Sequence, residues 1–78
     1  MKTTVYFLHK LQERGLEPGW CEAVVAAPLA REVQHDGRIR YWGEVPGTGK
    51  ILRVVLLSDG ETFHNAFFDR NFAKRVNP

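Results

Sequence analysis

Cysteine is nearly missing from this 78-residue chain, with Cys21 standing alone. One thiol makes no internal disulfide and no four-cysteine zinc framework. Cys21 falls within a helical pattern, where a free cysteine reads as a small buried hydrophobe. A lone thiol also fits a reducing cytoplasm. Long apolar runs are missing too. The most hydrophobic stretch, Ile51 to Leu57, is broken by Arg53, and a membrane helix needs ~20 apolar residues. The start, Met1 to His9, has no apolar core long enough for a secretion signal. Charge of one sign is scarce: 11 Lys and Arg against 9 Asp and Glu leave a net +2. That balance permits an acidic partner without demanding one. There are no repeats, low-complexity tracts or linkers. With 44% hydrophobic residues, the composition is too apolar for disorder. The length allows one domain, residues 1–78, with a core expected over about 5–72 and a frayed tail at 73–78.

The spacing of Leu8, Leu11 and their polar neighbours predicts a short helix from Val5 to about Arg14. Gly15 ends it in the left-handed conformation that a helix C-cap favours. Pro18 opens a second helix in its first turn, and Trp20, Ala23, Val24 and Ala27 recur at helical intervals on one apolar face. Pro28 stops that helix, because the residue before proline is pushed out of the α region. Beyond it the period changes from about 3.6 to 2. Four strands follow, at about Leu29–His35, Arg38–Val45, Ile51–Leu57 and Thr62–Phe68. Asp36-Gly37 and Asp59-Gly60 mark tight hairpins. The fold class expected is α+β: two short N-terminal helices on one face of a four-stranded, mainly antiparallel sheet.

A two-residue Asp59-Gly60 loop sets the faces of the last hairpin by alternation. Ser58 then opposes Glu61, Leu56 opposes Phe63, Val55 opposes His64 and Arg53 opposes Ala66. Leu52, Val54, Leu56, Phe63, Asn65 and Phe67 form the core face, almost wholly apolar. Ile39 and Tyr41 join that core, which leaves Arg38, Arg40 and Trp42 beside Arg53 and His64 on the other face. Guanidiniums so gathered repel unless an anion or acidic side chains neutralise them. Arginine matches phosphate bidentately, and tryptophan offers a surface on which a base stacks. A solvated face with arginine stems lying over Ile51, Val55 and Leu57 is the plain alternative. Arg53 is the exception, since it interrupts the most hydrophobic strand, and a salt bridge to Asp69 or a glutamate is its structural option.

Metal-free RNA cleavage needs a base, an acid and positive charge on the phosphorane. Histidine suits the first two, because its reference pKa of ~6.5 lets it exchange protons near neutrality. Arginine supplies the third. His9, His35 and His64 lack the clustered spacing of a metal site, and His35 reads as solvent-facing. Gly47-Thr48-Gly49-Lys50 lacks the earlier glycine, the following Ser or Thr and the helix of a phosphate loop, so it reads as a turn.

Several segments resemble a family of small bacterial domains related to the BrnT-type toxins, which share the RelE-like ribonuclease architecture. They are His9 with Glu13-Arg14-Gly15-Leu16, Ala27-Pro28-Leu29, Asp36 to Gly43, Leu52 to Val55 and Asn65 to Arg70, within roughly residues 5–72. The resemblance implies helices on one side of an antiparallel sheet with any site opposite. It also implies a metal-independent messenger RNA endonuclease paired with a small DNA-binding antitoxin, with no cofactor. Carried over residue by residue, the catalytic positions are Arg53, Arg70, His9 and His64. Arg38, Arg40 and Trp42 form the RNA-binding set. The tyrosine-plus-lysine set of a RelE-type catalytic group is not found in this sequence. Two other readings stand beside this one: a non-catalytic RNA- or protein-binding module, and an interaction domain whose basic face is neutralised by its own acids or by a second copy.

Overall fold

The computed structural model describes residues 1–72, so the tail expected at 73–78 lies outside the described residues. The chain runs β1 (Lys2–Thr3), α1 (Val5–Arg14), α2 (Pro18–Ala26), β2 (Ala30–Val33), β3 (Ile39–Val45), β4 (Lys50–Leu56) and β5 (Thr62–Phe68). The backbone turns helical once more at 70–72.

Both long helices begin and end where side-chain chemistry dictates. Thr4 caps α1, its Oγ1 accepting from the Phe7 N–H at 3.0 Å, which satisfies one of the four orphan donors of a first turn. Gly15 closes α1 at φ +64°, a conformation that costs glycine nothing. Phe7 and Leu11, one turn apart, are the buried positions of α1. In α2, Cys21 and Val24 play that part. Burial pushes the Cys21 thiol up to about 11, with the Glu22 charge adding to the effect, so it is an inert core residue at neutral pH.

The sheet has five strands in the order β1-β5-β4-β3-β2, and β1 runs parallel to β5 while all other pairs are antiparallel. The expected four-stranded sheet is therefore one strand short. Two residues carry no readable alternation, which is why β1 leaves no trace in the pattern. Both helices pack on one face: α1 against β5, α2 against β3 and β4. Between them lies the core of Phe7, Leu11, Leu16, Cys21, Val24, Ile39, Tyr41, Val45, Leu52, Val54, Leu56, Phe63 and Ala66. Helix α2 sits close enough that a Cβ on Gly43 would lie 3.1 Å from Val24 Cγ2, so glycine is needed there for space.

The two Asp-Gly turns are wider than two residues. Gly37 N–H donates to Gln34 O at 2.9 Å and Gln34 N–H to Arg38 O at 2.7 Å, closing a loop over residues 35–37. In the second, Leu57 N–H donates to Thr62 O at 2.9 Å and Gly60 N–H to Leu57 O at 3.0 Å. The Asp59 carboxylate accepts from the N–H groups of both Glu61 and Thr62, and these side-chain bonds support a wider corner. Leu56 still opposes Phe63, as alternation predicts. A β-bulge follows at once, and Val55 pairs with Asn65, Val54 with Ala66 and Arg53 with Phe67. The inserted residue is His64, and beyond it β5 has the parity opposite to the expected one. Ala66 enters the core in place of Phe67.

Candidate functional site

The sheet face away from the helices carries Glu32 from β2, Arg40, Trp42 and Glu44 from β3, Ile51, Arg53 and Val55 from β4, and Asn65 and Phe67 from β5, as the cross-strand registers dictate. Trp42 and Arg53 are direct cross-strand partners. The Arg53 guanidinium carbon lies 5.6 Å from the Trp42 ring centroid and 5.0 Å from that of Phe67, within cation–π range of both. Asp69, just past β5, ties this cluster together. Its Oδ2 accepts from the Trp42 indole N–H at 3.0 Å and pairs with Arg53 Nη1 at 3.7 Å. Its Oδ1 accepts from the Phe72 N–H at 3.0 Å, starting the helical turn at 70–72. That turn lays the Phe72 ring over Trp42, with centroids 5.1 Å apart and planes 15° from parallel.

The electrostatics follow from this geometry. Burial lowers the Arg53 pKa and the nearby Arg40 charge lowers it further, against the pull of Asp69 and Glu32. Arg53 Nε is buried and has no acceptor among the described residues. Burial alone would raise the Asp69 carboxyl, but the Trp42 indole, the Phe72 N–H and the Arg53 charge outweigh it and hold it below its ordinary value. Arg53 and Asp69 thus form a partly buried ion pair under aromatic cover, the structural option foreseen for Arg53.

The other arginines of the face are held more loosely. Arg40 Nη1 lies 3.4 Å from Glu32 Oε1, and Gln34, with its carbonyl turned toward Arg40, accepts from Nε and Nη2. Arg38 Nε lies 3.7 Å from Asp36 Oδ2. Exposed pairs such as Arg38–Asp36 are worth only ~0–1 kcal/mol, while Arg40 is held by Gln34 as well as by Glu32. Gln34, His35, Asp36, Arg38 and Arg40 together line an open depression of about 420 Å³.

Arg38, Arg40, Trp42 and Arg53 therefore share the face that alternation assigned them. His64 does not. The bulge turns it toward the N-terminus of α1, where Nδ1 lies 3.1 Å from Thr4 Oγ1 and the ring stacks on Tyr6 at 5.1 Å. Thr4 Oγ1 thus serves both the Phe7 N–H and the His64 ring, the direction of the latter bond set by the imidazole tautomer. His9 is exposed on α1, in the helical layer. Arg70 is exposed at the end of the sheet beside Lys50 and Ile51. The proposed catalytic set of Arg53, His64, Arg70 and His9 is thus spread over separate surfaces. Trp42 is only 5% exposed, under the stacked Phe72 ring, while Phe67 is partly exposed.

Sequence reasoning missed two residues. His35, read as merely solvent-facing, is the histidine that lies with the arginines, and its place on the Asp36-Gly37 loop between β2 and Arg38 was the available signal. Arg14 reaches from the end of α1 to Asn65 Oδ1 at 2.9 Å and the Ala66 carbonyl at 2.8 Å. It occupies the flank of β5 that the two-residue β1 leaves open. Among the described residues no group of three or more His, Cys, Asp or Glu side chains is placed to hold a metal ion. Nor is any helix among them long and apolar enough to cross a membrane.

No family model, no curated protein and no solved structure matches the chain. The likeness to BrnT-type toxins rests on the residues quoted above alone.

Proposed function

We propose that this domain is a non-catalytic binding module for single-stranded RNA, which it takes on the face of the sheet opposite α1 and α2. One observation carries the reading: Arg40 shares with Trp42 and Phe67 the sheet face that neither α1 nor α2 covers, and Arg38 lies beside Arg40 in the depression at its hairpin end. Phosphates replace Glu32 and Asp36 on the two arginines, and bases stack on the partly exposed Phe67 ring. Arg53 and Asp69 act as the rigid floor beneath. The reading stops at binding because neither His9 nor His64, the expected acid and base, lies on this face.

Anisotropy titrations of a labelled single-stranded RNA at several salt concentrations test the proposal. Each phosphate neutralised on a single strand contributes a slope of about −0.7 in log affinity against log salt. The Arg38→Ala, Arg40→Ala double variant is expected to reduce the slope by about 1.4. Absence of binding at low salt, or an unchanged slope in the variant, overturns the proposal.

A second reading, the metal-independent endoribonuclease of a toxin–antitoxin pair, gains support from His35 in the same depression as Arg38 and Arg40. It requires cleavage of RNA in the presence of a chelator and loss of that cleavage in His35→Ala. Intact RNA after long incubation leaves the binding reading in place.

A further inference from the structure

Strand β2 lies at one edge of the sheet, and among the described residues no further strand pairs with it. Its ladder to β3 decides which of its backbone groups face out. Gln34 N–H donates to Arg38 O at 2.7 Å, and the same register sets Glu32 opposite Arg40 and Ala30 opposite Trp42. Hydrogen-bonded pairs alternate along an antiparallel ladder. Gln34, Glu32 and Ala30 therefore turn their N–H and C=O groups to β3, while Arg31 and Val33 turn theirs outward. Outward peptide groups of this kind are a template for another strand. The side chains beside them are open as well. Val33 is 56% exposed, and Arg31 is exposed too, its guanidinium carbon 5.7 Å from the Tyr41 ring centroid. The stretch is short. Leu29 N–H is turned inward to Trp42 O at 2.7 Å, and the loop over residues 35–37 ends it on the other side.

We propose that two copies of this chain pair antiparallel through β2, with a two-fold axis at Glu32, so that one sheet runs through both. The edge fits a second copy of itself. An axis at Glu32 sets Arg31 opposite Val33 of the second copy and Val33 opposite its Arg31, and each pair exchanges both of its backbone bonds. An axis at Arg31 or at Val33 leaves outward groups facing Leu29, whose N–H is already taken, or the 35–37 loop. In the favoured register each Arg31 stem lies over the exposed Val33 of the other copy, which covers apolar surface without burying the charge. Charge across the axis also balances. Glu32 Oε1 lies 3.4 Å from Arg40 Nη1, so the row reads Arg40, Glu32, then Glu32 and Arg40 of the second copy: two acids bracketed by two cations. The pairing goes beyond the RNA reading and does not need it, since Arg38, Arg40 and Phe67 keep their places in each copy.

Sedimentation equilibrium and amide hydrogen exchange of the full chain test the pairing. The mass is expected to rise from monomer to dimer with a Kd of roughly 0.1–1 mM, because small contacts are weak. Over the same concentrations the Arg31 and Val33 amides should gain protection, while that of Glu32, already bonded to β3, should not. Val33→Pro removes an outward N–H, and proline is tolerated on an edge strand where that group faces solvent. This variant should keep the parent circular dichroism spectrum and stay monomeric throughout. Glu32→Gln gives a check in the opposite direction. The two carboxylates face each other across the axis, and like charges so opposed weaken a pair, so this substitution should tighten the dimer by about threefold. A chain that remains monomeric at millimolar concentration overturns the proposal. So does a dimer that survives Val33→Pro, and concentration-dependent shifts at the exposed Val5 and Leu8 would then assign the contact to α1. Either failure, with salt-dependent RNA binding intact, leaves the sheet-face reading standing.

Discussion

Asp59 shows how much one short side chain fixes locally. It accepts from the Thr62 hydroxyl at 2.5 Å and from the N–H groups of Thr62 and Glu61, both at 2.9 Å. These bonds, the Thr62 hydroxyl foremost, lower its pKa to about 2 from an ordinary 3.8. A carboxyl depressed in the folded state contributes stability that is complete above its unfolded value. The contribution drains away as the pH falls through the folded one. Asp59→Ala is therefore expected to melt below the parent at neutral pH. The gap should close between about pH 4 and pH 2, as thermal melts followed by circular dichroism would record. A gap that persists unchanged at the acid end would remove the carboxylate from the account. At the same scale, the shared face of Trp42 and Arg53 was legible, because alternation within β3 and β4 is uninterrupted, but their direct pairing was not, because the Pro46-Gly47-Thr48-Gly49 loop does not fix the register. The capture of Asp69 by both was legible only in part. A salt bridge to Arg53 follows from the order of residues, but the indole bond needs Asp69 placed in three dimensions.

Among the elements, the contact of α2 with β3 is the tightest constraint. Gly43→Ala places a methyl group against Val24, and overpacking of this kind costs ~1–3 kcal/mol. Urea unfolding should show that loss, with much of it recovered in Gly43→Ala, Val24→Ala, where the opposing methyls are gone. Simple additivity of the two substitutions would contradict the close approach. The helices and three long strands were readable because each carries a sustained period and its own stop signal: Gly15, Pro28, Asp36-Gly37 and Asp59-Gly60. The bulge was not. In Thr62-Phe63-His64-Asn65-Ala66-Phe67-Phe68 the one local trace is the polar pair His64-Asn65, which puts Asn65 on the core face if alternation is carried through, and nothing there says which of the two is the extra residue. Its partners, Thr4 and Tyr6, lie some sixty positions earlier in the chain. One inserted residue was enough to move the expected imidazole from the arginine face to the cap of α1.

For the whole molecule, Asp69 joins the sheet to the chain that leaves it. Asp69→Ala strips Trp42 and Arg53 of their shared acceptor and removes the cap from the Phe72 turn. The loss expected is roughly 1–3 kcal/mol, the usual cost of stranding a shielded polar group. A blunted tryptophan near-ultraviolet signal should accompany it, and unchanged stability would show that water replaces the carboxylate freely. The two sides of the sheet are also unlike. One margin is closed by β1 and by the Arg14 guanidinium on the Ala66 carbonyl. The other is β2, whose Arg31, Glu32 and Val33 are exposed. Growth of ordered fibrils by strand addition requires two receptive margins on every subunit. A subunit with a single receptive margin terminates any such association at a pair, so this domain carries, in one arginine and one two-residue strand, a built-in defence against polymerising through its own backbone.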